Sequence, residues 1–185
     1  MDYIIFKIIN QLAGRFRLLD TIMIAISQKA RYFYILVLAF MWFRNNAYKK
    51  ITLYTALSTI VTLLINSLIK LFYFKPRPFL EHYVRVLPPH PPRKSSSFPS
   101  KHTALAFAAA TSVLFYKRLL GRMLWLLAFL SGFSRIWMGH HYPADVMGSA
   151  LLGSLAATVV NLAAQMRNFF IRDGSSFFCH RNKMN

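Results

Sequence analysis

Long apolar runs separated by short polar breaks set the pattern of this chain. Its start differs: over residues 1–17, Ile4, Ile5, Phe6, Ile8 and Ile9 are interleaved with Asp2, Lys7, Asn10, Gln11, Arg15 and Arg17. That spacing predicts a short amphipathic helix lying in a membrane interface. From Leu18 to Phe43 the chain is mostly apolar but is broken by Ser27-Gln28-Lys29-Ala30-Arg31. The pattern fits one long interrupted helix and equally a hairpin of two short ones. Ile51 to Phe74 is a clearer span, long enough to cross a hydrocarbon core of about 30 Å. Within it Thr52, Thr55, Ser58, Thr59, Thr62, Asn66 and Ser67 recur near helical spacing, so one face is expected to pack on neighbouring helices. Pro76 and Pro78 close the span, and residues 76–99 read as a proline-rich loop with a Ser95-Ser96-Ser97 run.

Thr103 to Tyr116 is a shorter apolar run rich in alanine, suited to tight packing inside a bundle. Lys117, Arg118 and Arg122 surround an expected turn at Gly121, after which Met123 to Phe133 begins a helix running on towards Arg135. Pro143 fits the first turn of another, completed by Val146 to Ala164, where Gly148, Ser149, Gly153 and Ser154 allow close helix contact. The whole predicts one all-α integral membrane bundle of about five to six transmembrane helices. An amphipathic helix over 1–17, an outer loop over 76–99 and a basic tail over 167–185 complete it.

Composition sharpens this. At 185 residues, with 56% apolar and 16% aromatic residues, the chain is one domain and too apolar for an ordinary soluble one. A net charge of +18 sets 23 Lys and Arg against five acids, Asp2, Asp20, Glu81, Asp145 and Asp173. Such an excess fits nucleic acid, an anionic membrane or a phosphate site. The basic residues fall between apolar runs instead of along one polar face, which argues against nucleic acid. Cys179 is the single cysteine, so no intrachain disulfide or cysteine-based metal site is possible. The first residues do not read as a cleaved secretory signal, because Lys7, Asn10, Gln11, Arg15 and Arg17 interrupt them. Basic turns at 44–50 and 117–122, with the tail, assign one end of the bundle to the cytoplasm. The loop at 76–99 and the residues discussed next then face outward.

Three stretches carry candidate chemistry. Lys70 and Arg77 stand two helical turns apart before Pro78 and are expected to share a face near a helix end; alone, such a pair is more often a snorkelling one at a membrane boundary. Pro99-Ser100-Lys101-His102 opens an apolar run. Ser100 can cap that helix, leaving N–H groups such as that of Lys101 aimed at an anion, and His102 would be a plain surface histidine without its motif. The third stretch runs Ser134-Arg135-Ile136-Trp137-Met138-Gly139-His140-His141-Tyr142-Pro143-Ala144-Asp145. His141 and Asp145, four residues apart at a helix start, can meet on one face, and an acid bordering an apolar helix is expensive without a partner. Too few acids for a two-metal site and no zinc-like histidine spacing leave no metal or cofactor implied.

In this order and spacing the three stretches resemble the signature of the type-2 phosphatidic acid phosphatase and vanadium haloperoxidase superfamily. The resemblance covers roughly Ile51 to Ala164 and implies a helical bundle with its site at one membrane face. It implies phosphate binding by Lys70, Arg77, Ser100, the Lys101 backbone N–H and Arg135. His141 matches the family's nucleophile, Asp145 the residue that orients it and His102 the general acid; His140 is an adjacent decoy that only the spacing from Arg135 rejects. Lys101 stands where the commonest family form has glycine, and its side chain either adds charge or points to solvent. The small size and the opening residues look like bacterial undecaprenyl pyrophosphate phosphatases of the bacitracin-resistance type. That implies a multi-pass plasma-membrane enzyme taking a polyprenyl pyrophosphate at the outer leaflet through a phosphohistidine. A diphosphate would draw on Lys75, Arg93, Lys94 and Lys101, which equally suit a solvated loop near anionic lipid. The rivals are a phosphatidylglycerophosphate or phosphatidic acid phosphatase, a haloperoxidase (expected to be soluble), and a non-enzymatic lipid-binding or transport protein on the same scaffold.

Overall fold

The computed structural model describes the backbone of residues 2–181 and the side chains of residues 2–167. The elements are helices: α1 (Asp2–Asn10), α2 (Arg17–Arg44), α3 (Asn46–Phe72), α4 (Pro78–Glu81), α5 (Lys101–Leu114), α6 (Arg118–Trp137) and α7 (Pro143–Arg181). The protein is an all-α membrane bundle. Among the described residues four helices, α2, α3, α6 and α7, are long and apolar enough to cross a membrane, where the sequence pattern points to five or six. The difference is α5: its 14 residues span only about 21 Å at 1.5 Å per residue. It sits inside the bundle, packed on α3, α6 and α7.

The sequence explains that placement. Ala104, Ala108 and Ala110 of α5 are fully buried, and their small side chains let neighbouring backbones approach where lipid supplies no hydrophobic drive for helix association. Hydrogen bonds join the same surfaces: Asn161 of α7 donates to Ser112 of α5 at 3.0 Å and to Ser58 of α3 at 3.3 Å, and Thr55 pairs with Ser112 at 3.1 Å. Thr55, Ser58, Thr62 and Asn66 are the buried members of the polar stripe expected on α3. Its opposite face presents Leu53, Leu57, Ile60, Leu64 and Leu68 outward, the polarity expected of a helix solvated by lipid.

Several boundaries differ from the sequence reading. The Ser27–Arg31 interruption does not break α2, because Ser27 and Ala30 turn inward while Gln28, Lys29 and Arg31 stay exposed. The amphipathic helix stops at Asn10, and Phe6 is fully buried against Ile136 and Tyr142. Gly121 lies inside α6 and forms no turn; a Cβ there would meet the Leu114 Cα at 2.3 Å, so glycine serves the close approach of α5 and α6. α3 ends at Phe72, ahead of Pro76, so Lys70 and Arg77 do not share a helical face. Of the tail at 167–185, the side chains beyond Arg167 lie outside the described residues.

These helices bring the C-terminal ends of α3 and α6 and the N-terminal ends of α5 and α7 to one end of the bundle. Arg44, Lys49, Lys117 and Arg118 collect at the other, where Arg44 and Lys117 stack on Tyr48.

Candidate active site

Six of the eight candidate residues, Lys70, Arg77, Lys101, His102, Arg135 and His141, line one cleft of about 430 Å³. α3 supplies Lys70, the extended segment after it Arg77, the start of α5 Lys101 and His102, and the last turn of α6 Arg135. His141 comes from the bend between α6 and α7, where Gly139 takes a φ of +78°, a conformation glycine adopts without a Cβ clash.

Hydrogen bonds fix the chemistry of His141. Its Nδ1 lies 2.7 Å from the Ser97 carbonyl oxygen, which can only accept, so Nδ1 carries the proton. Its Nε2 lies 3.3 Å from Arg77 Nη1, which can only donate, so Nε2 holds a lone pair. Burial, and then the charges of Arg135 and Arg77, lower the His141 pKa well below its ordinary value. The ring is therefore a neutral imidazole whose unprotonated nitrogen belongs to the cleft, surrounded by four cations that would hold an anion against it. His140 is used differently. It does not line the cleft; its Nε2 donates to the Leu87 carbonyl at 3.0 Å, and its own carbonyl receives Arg77 Nη1 at 3.0 Å.

Asp145 does not meet His141 directly, which corrects the expected pair. Its carboxylate accepts from Lys75 Nζ at 2.6 Å, from Ser97 Oγ at 2.5 Å and from the Tyr142 amide at 3.1 Å. Ser97 is thus the link: its hydroxyl binds Asp145 while its carbonyl holds the imidazole. The reason is geometric. The 95–97 loop enters between them, held by Ser96 Oγ on the Lys75 amide and by the Ser97 amide on the Lys75 carbonyl. Ser97 is the residue the sequence reading missed. Lys75, expected to serve a diphosphate or a solvated loop, instead neutralises the buried Asp145, a contact visible only in three dimensions. The other described acids serve the same end of the fold. Asp2 accepts from the Ala144 amide, Asp20 from Trp137 Nε1, and Glu81 from the Tyr142 hydroxyl.

The remaining candidates divide. Ser100 is fully buried and off the cleft wall; its amide donates to Ser149 Oγ at 2.7 Å and its hydroxyl pairs with Thr103 at 3.0 Å. No side chain caps α5, so its first-turn amides from Lys101 onward are left for an anion. Arg135 is held by Ser27 through Nη1 at 3.0 Å, while its Nε is buried without a partner. His102 opens α5 outside the four spans, and burial, followed by Arg135, Arg31, Lys101 and Lys70, lowers its pKa to about 4. Among the loop cations considered for a diphosphate, Lys101 lines the cleft, whereas Lys75 is committed to Asp145 and Arg93 and Lys94 lie off the wall.

Comparison with known proteins finds relatives of this chain and of its fold. The PAP2 superfamily model matches residues 51–169. Undecaprenyl-diphosphatase BcrC of Bacillus subtilis is 45% identical over 153 residues, 82% of this chain and 78% of that protein. Among solved structures, Aquifex aeolicus LpxE superimposes with a TM-score of 0.72 at 31% identity, over 84% of this chain and 92% of the other. The PAP2-type phosphatidylglycerolphosphate phosphatase of Bacillus subtilis shares the fold, with a TM-score of 0.72 at 23% identity over 89% of this chain and 85% of that one.

Proposed function

This chain belongs to the PAP2 superfamily, and on that premise we propose that it removes the terminal phosphate from undecaprenyl diphosphate through a phosphohistidine on His141. The observation that carries the chemistry is the neutral imidazole, with its Nε2 lone pair beside Arg77, in a cleft lined by Lys70, Lys101 and Arg135.

The terminal phosphate sits among Lys70, Arg77, Arg135 and the first-turn amides of α5, which stabilise charge on its equatorial oxygens. Nε2 attacks phosphorus, forming the P–N bond and breaking the bond to the bridging oxygen, whose electron pair leaves with the lipid monophosphate. His102 supplies a proton to that oxygen where one is needed. Water then attacks the phosphohistidine and breaks the P–N bond; its proton passes to His102, which either replaces the one given to the leaving oxygen or is released to solvent, and inorganic phosphate leaves with His141 restored. Ser97 and Asp145 keep the ring in its productive tautomer throughout.

Two arguments favour an anhydride substrate. A lipid phosphate is a far less basic leaving group than an alkoxide, so an anhydride makes only a small demand on His102 for a proton. The similarity to an undecaprenyl-diphosphatase supports the same substrate. With the basic end of the bundle cytoplasmic, the cleft opens at the outer leaflet. The product would there return to service as the cell-wall lipid carrier, and bacitracin resistance would follow.

Phosphate release by the detergent-purified protein in excess chelator tests this, with undecaprenyl diphosphate and phosphatidylglycerophosphate offered side by side and H141A as the blank. Faster release from the diphosphate, lost in H141A, is expected. Faster release from the glycerophospholipid would overturn the substrate, and release by H141A would overturn the mechanism.

A further inference from the structure

Resting on that phosphatase reading, we propose that Arg31 binds the inner, lipid-proximal phosphate of the diphosphate and that the apolar groove beside it takes the first isoprenoid units. A second cavity, of about 410 Å³, adjoins the polar cleft and is walled by Tyr34, Ile35, Leu38, Leu105, Ala106 and Ala109. The two cavities share Ser27, Arg31, Lys101 and His102, whereas His141, Lys70 and Arg77 line the polar one alone. The wall therefore has an order. It runs from His141, Lys70 and Arg77 to a junction formed by Ser27, Arg31, Lys101 and His102, then to apolar side chains.

A prenyl diphosphate has the same order of parts. With its terminal phosphorus at His141 and its bridging oxygen at His102, the inner phosphate falls at the junction and the chain enters the groove. The guanidinium of Arg31 can meet two oxygens of that phosphate at once. In the free protein Arg31 has no carboxylate partner among the described residues. Its Nη2 donates to the Tyr32 hydroxyl at 2.9 Å and its Cζ stands 4.7 Å from that ring, a neutral exposed contact that is readily exchanged for an anion. A cation at a bilayer boundary commonly just snorkels; this one borders the cleft that holds His102.

Arg31 also lies outside the family match, which begins at residue 51. The common chemistry resides in the matched part, and α2 contributes the group that separates a diphosphate from a monophosphate. A monophosphate placed at His141 puts its alkyl chain, not a phosphate, beside Arg31, so that contact serves diphosphates selectively.

The test compares kcat/KM for farnesyl diphosphate and farnesyl phosphate in the purified full chain and in its R31Q and R31K variants. Loss of one charge-assisted contact predicts that the diphosphate-over-monophosphate ratio falls about 10- to 100-fold in R31Q, and by less in R31K, which keeps the charge but loses the fork. A ratio unmoved in both variants overturns the role of Arg31 and leaves the phosphatase reading intact. A wild-type protein that does not prefer the diphosphate overturns the diphosphate as its substrate, and this inference with it. If R31Q does not fold, R31K decides by the same ratio.

Discussion

Replacing Asp145 with asparagine separates two ways of holding the nucleophile. The substitution keeps shape and changes one hydrogen-bonding face. Oδ2 accepts from Ser97 Oγ at 2.5 Å and from the Tyr142 amide at 3.1 Å, and Oδ1 accepts from Lys75 Nζ at 2.6 Å. The asparagine carbonyl can keep the first two, which turns its amide group towards the lysine. One charge-assisted bond is lost, ordinarily about 1.5–3 kcal/mol. The lysine side chain is 26% exposed and has Asp2 at 3.8 Å, so solvent and that second acid offset part of the loss. About 1–2 kcal/mol of restraint on the Ser97 carbonyl remains, equivalent to about a 5- to 30-fold fall in turnover. Because His141 stays on the Ser97 carbonyl, its tautomer survives. A carboxylate bonded directly to the imidazole would instead cost about 10⁴-fold when amidated, through the wrong tautomer. The assay is kcat and KM on farnesyl diphosphate with a thermal unfolding midpoint for D145N. The expected result is a modest fall in kcat, little change in KM and a slightly lower midpoint. A fall near 10⁴-fold with the midpoint unchanged would refute the indirect linkage.

Three other substitutions or conditions extend the account. H102Q should slow farnesyl phosphate more than farnesyl diphosphate, by about tenfold or more, since general-acid help is worth about 10²–10⁴ where it is needed; equal losses would remove His102 from the leaving-group step. Burial lowers the pKa of His141 and takes that of His140 to about 3, against about 6.5 in the unfolded chain. Below that value the unfolded state binds protons the native state refuses, so stability rises with pH between the native pKa values and 6.5. The unfolding midpoint should therefore drop from pH 7 to pH 5, and a flat midpoint would mean that these rings accept protons in the folded protein. G121A puts a Cβ 2.3 Å from Leu114 Cα and should cost about 1–3 kcal/mol by overpacking, read as a lower midpoint; an unchanged midpoint would show that α5 and α6 can separate at no cost.

Much of this was legible in order along the chain. The apolar runs announce a membrane bundle because lipid demands long uninterrupted helices, and the resemblance to a known superfamily groups Lys70, Arg77, His102, Arg135 and His141 as one site. What stayed hidden depended on chain folding back across distance. Lys75 and Asp145 are 70 residues apart and Ser97 and Asp145 are 48 apart, so no local spacing joins them. Periodicity could not tell that the alanine-rich run was an enclosed short helix, because a buried helix and a lipid-facing one are both apolar throughout. Gly121 misled for a related reason: glycine marks a turn and a close helix contact alike. The polar break at Ser27–Arg31 was ambiguous because its inward and outward residues alternate within one helical turn, and only the packing of α2 on α6 sorts them.

Trapping the covalent intermediate tests the central claim most directly. The purified protein would be mixed for a single turnover with prenyl diphosphate labelled in the terminal phosphate, quenched in alkali, where phosphohistidine persists, and mapped by peptide mass spectrometry. The account predicts label on His141, none on His140, and none anywhere in H141A. Label on His140, or turnover with no labelled histidine, would contradict it.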